Sequence, residues 1–77
     1  MNIQTERPKL NRIKVVLAET GHTGKWLAEQ LGKDPVTVSK WCTNSVQPGV
    51  ETLFAIAKCL DVQVQDLLNN SVTAYNC

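Results

Sequence analysis

A chain of 77 residues with 43% hydrophobic and 19% charged side chains has the size and composition of one globular domain. No apolar run approaches the ~20 residues of a membrane span, and the first residues lack the apolar core of a signal peptide, so we expect a cytoplasmic protein with no membrane partner. The net charge is +1, but residues 1–40 carry +3 and residues 41–77 carry −2, a distribution that favours one basic face for an anionic partner.

The cysteine and histidine content predicts neither a metal site nor a redox site. Cys42, Cys59 and Cys77 form no C-x-x-C pair, and the single histidine, His22, cannot complete a zinc-finger pattern with them. We therefore expect free thiols, no metal and no cofactor. No nucleophile or acid–base partner accompanies His22 either, which predicts a surface loop residue and a protein that is not an enzyme.

Apolar residues at helical spacing predict the first two helices. The first helix is expected to stop at Gly21, and the second to be capped by Thr23 and closed by Gly32. The predicted inward residues are Leu10, Ile13, Val16 and Leu17 in the first helix, and Leu27, Ala28 and Leu31 in the second.

The stretch GKDPVTVSKWC, residues 32–42, predicts a short third helix. Asp34 can cap its free amides, and Pro35 fits its first turn. Val38 and Trp41 are the predicted inward residues. The outward side then carries no acid after the cap, and its remaining residues are Val36, Thr37, Ser39 and Lys40.

The rest of the chain predicts a turn-rich loop and two more helices. Residues 43–49 form the loop, in which Asn44 is expected to adopt a left-handed conformation. A fourth helix should span roughly residues 50–60, with Cys59 in the core, and a short fifth helix should lie around Gln63–Leu68. The fold class is thus all-α with five short helices, preceded by a flexible arm at 1–9 and followed by a tail at 69–77. The predicted inward residues are Leu53, Ile56, Ala57, Leu60, Val64, Leu67 and Leu68.

The link between the second and third helices predicts a helix-turn-helix. Only Gly32, Lys33 and Asp34 separate the two helices, which forces a sharp crossing, and the small Ala28 permits close approach. A helix that enters the DNA major groove needs donors, acceptors and small apolar groups, whereas carboxylates there would repel phosphates. The outward side of the third helix meets both conditions. The alternative is a solvated surface helix with few charges.

The run from Ile13 to Leu68 resembles the DNA-binding domain of lambda-repressor/Cro-like regulators, the Xre family. The matching pieces, in order, are LAEQLG, TVSKW, P-x-x-E-T-L from Pro48, IAKCL and the terminal LL. The resemblance implies a five-helix domain whose third helix reads bases, with phosphate contacts from the start of the second helix and from the loop before the fourth. It implies base reading by Pro35, Val36, Thr37, Ser39 and Lys40, and phosphate contact by Thr23, Gly24, Lys25, Thr43, Asn44, Ser45 and Gln47.

Two departures from the family pattern affect these expectations. Gly24 stands where the family often has glutamine, so the phosphate contact there must come from backbone amides or from Lys25. Pro35 stands where a long polar reader is common, and proline offers only shape and apolar contact. Direct readout is therefore expected to depend heavily on Val36 and Lys40.

The sequence accordingly predicts a sequence-specific transcriptional regulator, a repressor, that binds double-stranded DNA as a homodimer. Candidate dimer contacts are the fifth helix and the tail with Tyr75. The alternative is a protein-interaction module on the same fold, such as an antitoxin or adaptor, in which Trp26 and Val36 contact a protein partner. Trp26 itself has three interpretations: half-buried packing across the junction of the first two helices, a partner contact, or packing against the DNA backbone.

Overall fold

The computed structural model describes residues 9–69, which are largely helical. The elements are α1 (Ile13–Glu19), α2 (Gly24–Leu31), α3 (Pro35–Cys42), α4 (Val50–Leu60) and a one-turn 3₁₀ helix (Val64–Leu67). Within these residues no strand occurs, and only one isolated antiparallel bridge joins Asn11 to Leu68. The all-α prediction is confirmed, and the fifth predicted helix is a 3₁₀ turn. The predicted dimer contact at Tyr75 and the predicted free thiol of Cys77 lie outside the described residues.

The starts of α2 and α3 are set by side-chain caps. The Thr23 Oγ1 accepts a hydrogen bond from the Trp26 amide at 3.0 Å. The Asp34 Oδ1 accepts one from the Val36 amide at 2.8 Å, with Pro35 at the first helical position. Each cap satisfies an amide that has no acceptor inside its own helix, which confirms both predicted starts.

All four α-helices are followed by a residue with a left-handed backbone, which turns the chain sharply. At the end of α2, for example, the Lys33 amide donates back to the Ala28 carbonyl at 2.9 Å. The first two of these residues are glycines, whereas the last two carry side chains and hold a conformation that is uncommon for them. The residues are Gly21, Gly32, Asn44 and Asp61, with φ of +77°, +65°, +61° and +57°.

Every element contributes to one core. The fully buried side chains come one from each helix, including the 3₁₀ helix, and Trp41 on α3 is only 5% exposed. Ala28 is buried on the face of α2 that contacts α3, as expected for a close helix crossing. Cys59, predicted to be core, is only partly buried and packs against it. The fully buried side chains are Ile13, Leu27, Val38, Ile56 and Leu67.

Leu10 and Leu68, both predicted to face inward, are instead 37% and 39% exposed, so these two predictions are wrong. The reason is a backbone pairing that joins the ends of the described chain. The Arg12 amide donates to the Leu67 carbonyl at 2.8 Å, and the Asn69 amide donates to the Leu10 carbonyl at 2.9 Å. Leu68 follows the 3₁₀ helix with an extended backbone that pairs with Asn11, so its side chain does not share the inward direction of Leu67.

We predict that Asp34→Ala lowers the free energy of unfolding by about 1 kcal/mol, because it removes the cap of α3. Asp34→Asn is the matched control, since asparagine retains an acceptor oxygen and should stay close to wild type. Urea denaturation followed by circular dichroism measures both. Equal losses in the two variants would assign the effect to the charge of Asp34 and not to its hydrogen bond.

Candidate nucleic-acid interface

The outward face of α3 is free of carboxylates and largely exposed. Val38 and Trp41 are buried, which fixes the opposite side of the helix toward solvent. Val36 is 61% exposed, and Thr37 is half-buried at the edge of this face. Asp34, which precedes the helix, accepts from the Val36 amide as its cap. The fully outward residues are Pro35, Val36, Ser39 and Lys40.

The start of α2 lies beside this face. Because Thr23 caps the Trp26 amide, the first two amides of the helix, those of Gly24 and Lys25, have no acceptor within α2. Free amides at a helix start attract anions. The Lys25 side chain is exposed at the same place, so charge and amides act together there.

A groove of about 400 Å³ connects the two helices. Gly24 and Lys25 line it from α2, and Pro35 and Ser39 line it from α3. Thr43 closes it on the side of the loop between α3 and α4. Pro35 and Ser39 of the predicted base-reading face and Gly24 and Lys25 at the start of α2 therefore border one concave surface, which Val36 and Lys40 do not line.

The loop after α3 exposes two hydroxyl groups toward solvent. The Oγ atoms of Thr43 and Ser45 lie 2.9 Å apart and share a hydrogen bond. The Thr43 hydroxyl also lies 3.3 Å from the Lys40 carbonyl, at the end of α3. Both hydroxyls are exposed and oriented by these bonds. Each hydroxyl has one proton, so donation to an external oxygen would replace one of these bonds.

The two amide side chains of the same loop are bonded to other parts of the protein. Asn44 is 7% exposed, and its Oδ1 accepts from the Asn11 backbone amide at 2.9 Å. The Gln47 Oε1 accepts from the Asn11 Nδ2 at 2.7 Å, and the Gln47 Nε2 donates to the Asn44 Oδ1 at 3.0 Å. Of the four predicted loop residues, Thr43 and Ser45 thus present their side chains outward, whereas Asn44 and Gln47 support the loop.

Asn11 is the functional-site residue that sequence reasoning missed. It is 4% exposed, and both its Nδ2 and its Oδ1 are hydrogen-bonded. Besides its bond to Gln47, the Nδ2 donates to the Trp41 carbonyl at 3.0 Å, and the Oδ1 accepts from the Ile13 amide at 3.0 Å. An asparagine just before an apolar helix is a cap signal in the sequence. Its partners, 30 and 36 residues away, are not visible there.

The sequence matches a known protein family. A family model described as helix-turn-helix matches residues 13–67, which is more than half of the chain. The chain belongs to the lambda-repressor/Xre-like helix-turn-helix family. No curated protein matches the sequence.

A solved relative has the same fold. It is a crystal structure of a Bacteroides fragilis protein, provisionally named a DNA-binding protein, which is 52% identical to this chain. The match covers 78% of this chain and 97% of the relative, with a TM-score of 0.77. Together with the family match, this likeness supports a DNA-binding helix-turn-helix protein, a class that is generally not enzymatic.

The departure from the helix-turn-helix pattern at Gly24 does not arise from packing. A Cβ atom added there would lie 3.7 Å from the Val38 Cγ1 and 4.0 Å from the Cys42 Sγ, which are ordinary contacts. The structure thus has room for a larger residue at the start of α2. With glycine in place, an anion at this site can contact only backbone amides from residue 24.

Trp26 packs across the turn between α1 and α2. Its ring stacks on His22, with centroids 3.7 Å apart and planes inclined by 11°. Both residues are half-buried, and Trp26 also packs against the core. Half-buried packing across the junction of the first two helices, the first of the three interpretations, is confirmed for the described conformation.

Cys42 lies at the end of α3 and lines the groove. Partial burial raises the pKa of its thiol, and the nearby Lys14 ammonium opposes part of that rise. The thiol is therefore protonated at neutral pH and adds no negative charge to the surface.

Within residues 9–69 no group of acidic, histidine or cysteine side chains is placed to hold a metal ion. None of the helices there is long and apolar enough to cross a membrane.

We predict that Asn11→Ala lowers the free energy of unfolding by about 2–4 kcal/mol, because it leaves the Trp41 carbonyl and the Ile13 amide without their partner. Asn11→Asp should lose at least as much, since a carboxylate cannot donate to the Trp41 carbonyl or the Gln47 Oε1. Asn69→Ala, which removes an exposed bond to the Lys9 carbonyl, is the control with a smaller loss. Urea denaturation of the three variants tests this ranking. An Asn11→Ala variant with the same urea midpoint as wild type would contradict it.

Proposed function

We propose that this protein is a sequence-specific transcriptional regulator, a repressor, that inserts α3 into the major groove of double-stranded DNA. The observation that supports this most is the carboxylate-free, exposed face of α3, bordered by the start of α2 and by the hydroxyls of the following loop. Anion-binding groups on both flanks of a polar and apolar face suit a helix whose centre contacts base edges and whose flanks contact phosphates.

In this proposal each predicted residue has a distinct role. Lys40 reaches guanine O6 and N7, the hydroxyl of Ser39 bonds to a base edge, and Val36 contacts a thymine methyl group. Pro35 contributes shape and apolar contact, and Thr37 contacts the edge of the site. The backbone contacts come from the cap and amides of Thr23, Gly24 and Lys25, and from the hydroxyls of Thr43 and Ser45, in a loop that Asn44 and Gln47 hold in place.

We propose that the protein binds as a homodimer. One short α3 contacts only a few base pairs, and two-fold pairing doubles the site, with half-sites about one DNA turn, ~34 Å, apart. Leu68, 39% exposed after the 3₁₀ helix, remains available at one of the two predicted dimer surfaces. The other surface, around Tyr75, lies outside the described residues.

Selection from a random duplex pool with purified protein tests the proposal directly. At low salt we expect enrichment of a two-fold symmetric motif whose half-sites are centred about 10 base pairs apart. Repeating the selection at moderate salt should weaken binding steeply, because phosphate contacts release counterions. Failure to enrich any motif, with the protein folded and helical, would contradict the proposal.

Lys40 and Lys25 provide a paired test of base reading against phosphate contact. Lys40→Ala should cost about 1–3 kcal/mol on the selected motif and relax the choice at one base pair. Lys25→Ala should weaken binding to every duplex alike and reduce the salt slope. Lys58→Ala, at an exposed lysine in the last turn of α4, is the matched control. Equal losses for Lys40→Ala and Lys25→Ala on all duplexes would remove Lys40 as a base reader.

The second candidate is a protein-interaction module, such as an antitoxin or adaptor. Exposed apolar side chains favour it: Val36 on α3 is 61% exposed, and Val50 and Phe54, one turn apart on α4, are 70% and 60% exposed. An apolar protein interface should respond little to salt, whereas DNA binding should respond strongly. The salt dependence of the principal complex therefore separates the two functions.

A further inference from the structure

A second groove, of about 430 Å³, adjoins the first and extends the concave surface onto α1. The two grooves share Lys14, Cys42 and Thr43, so the end of α3 separates them and α1 borders both. Lys9 lines the second groove from the segment that precedes α1. The concave surface therefore runs from the start of α2, past the end of α3, to the beginning of the described chain.

The charges that line this surface are all positive. Neither groove is lined by an aspartate or a glutamate among residues 9–69. The Arg12 guanidinium already has partners within the protein, since it lies 3.1 Å from the Asp66 carbonyl and 3.8 Å from the Glu19 carboxylate. Lys9 and Lys14 are exposed, and in the described part of the chain neither forms an ion pair.

Lys14 borders the end of α3, because it lines both grooves together with Cys42 and Thr43. Lys25 lines the first groove from the other side. An anionic chain that passes over Thr43 would therefore have a lysine from α1 on one side and a lysine from α2 on the other.

We propose that Lys14, assisted by Lys9, forms a second phosphate-contacting site, so that one DNA strand is contacted from α1 as well as from α2 and the loop. This inference rests on the proposed DNA-binding function and deepens it by adding contacts that sequence reasoning did not assign. A continuous phosphodiester backbone suits the surface, because the cationic groups come from separate elements along adjoining grooves. The contacts are positioning contacts and should be independent of DNA sequence.

The test measures the affinity of the full chain for the selected duplex and for an unrelated duplex between about 50 and 200 mM salt. Lys14→Gln should bind both duplexes more weakly at low salt, and its salt slope should be smaller by about 0.9, the contribution of one phosphate. The ratio of wild-type affinity to Lys14→Gln affinity should therefore fall about threefold as the salt rises across that range. Lys14→Arg should keep the wild-type slope, and Lys58→Gln, with the same charge change on α4, should match wild type.

The outcomes distinguish this inference from the proposed function. If the wild-type salt slope is steep and Lys14→Gln leaves it unchanged, the phosphate contact from α1 is contradicted. DNA binding by α3 would then still stand. A wild-type protein that binds no duplex would overturn both. Circular dichroism and the urea midpoint of Lys14→Gln should equal those of wild type, since the residue is exposed and unpaired in the described structure. A lost fold in that variant would itself contradict a role confined to the surface.

Discussion

The buried side chain of Asn11 is the constraint on which the arrangement of the proposed DNA-binding surface depends. One amide group accepts from the first amide of α1, donates to the end of α3 and donates to the loop that follows. A buried amide in a low-dielectric core is costly unless every donor and acceptor is paired, so the network tolerates few geometries. The orientation of α3 relative to α1 is therefore specified by hydrogen-bond direction, whereas apolar packing alone would allow some sliding.

The same network explains why the left-handed position in the loop can be held by Asn44 and does not need a glycine. Asn44 adopts a left-handed conformation at φ +61°, which an L residue seldom holds without support. Its side chain bonds to both the amide and the carbonyl of Asn11, at 2.9 and 3.1 Å, and these bonds secure the conformation. With the backbone held this way, the hydroxyls of Thr43 and Ser45 are directed outward. A structural amide thus determines where the polar groups of the interface lie.

Much of this fold could be predicted from the sequence, because its signals are local. Caps such as Thr23 and Asp34 and stops such as Gly32 act within one helical turn, and periodicity identified most of the core. The errors arose where distant segments meet: Leu10 and Leu68 are exposed because the two ends of the described segment, residues 9–69, pair with each other. The hydrogen bonds that Asn44 and Gln47 make within the protein likewise depend on Asn11, which no local pattern connects to them. The helix that carries the candidate site, α3, could be predicted from its cap and periodicity, but the support that Asn11 gives it from the segment before α1 could not.

The pairing of Leu10 with Asn69 has a consequence for how this domain can be used. Their backbone groups are joined by a hydrogen bond of 2.9 Å, so the two ends of the described segment lie side by side. A folded segment with adjacent ends can be inserted into a surface turn of another protein without stretching its host. A short peptide would also span these two ends, so that new ones could be opened elsewhere. A break in the turn at Asp61–Val62, outside the helix-turn-helix, would give a circularly permuted form of this helical domain.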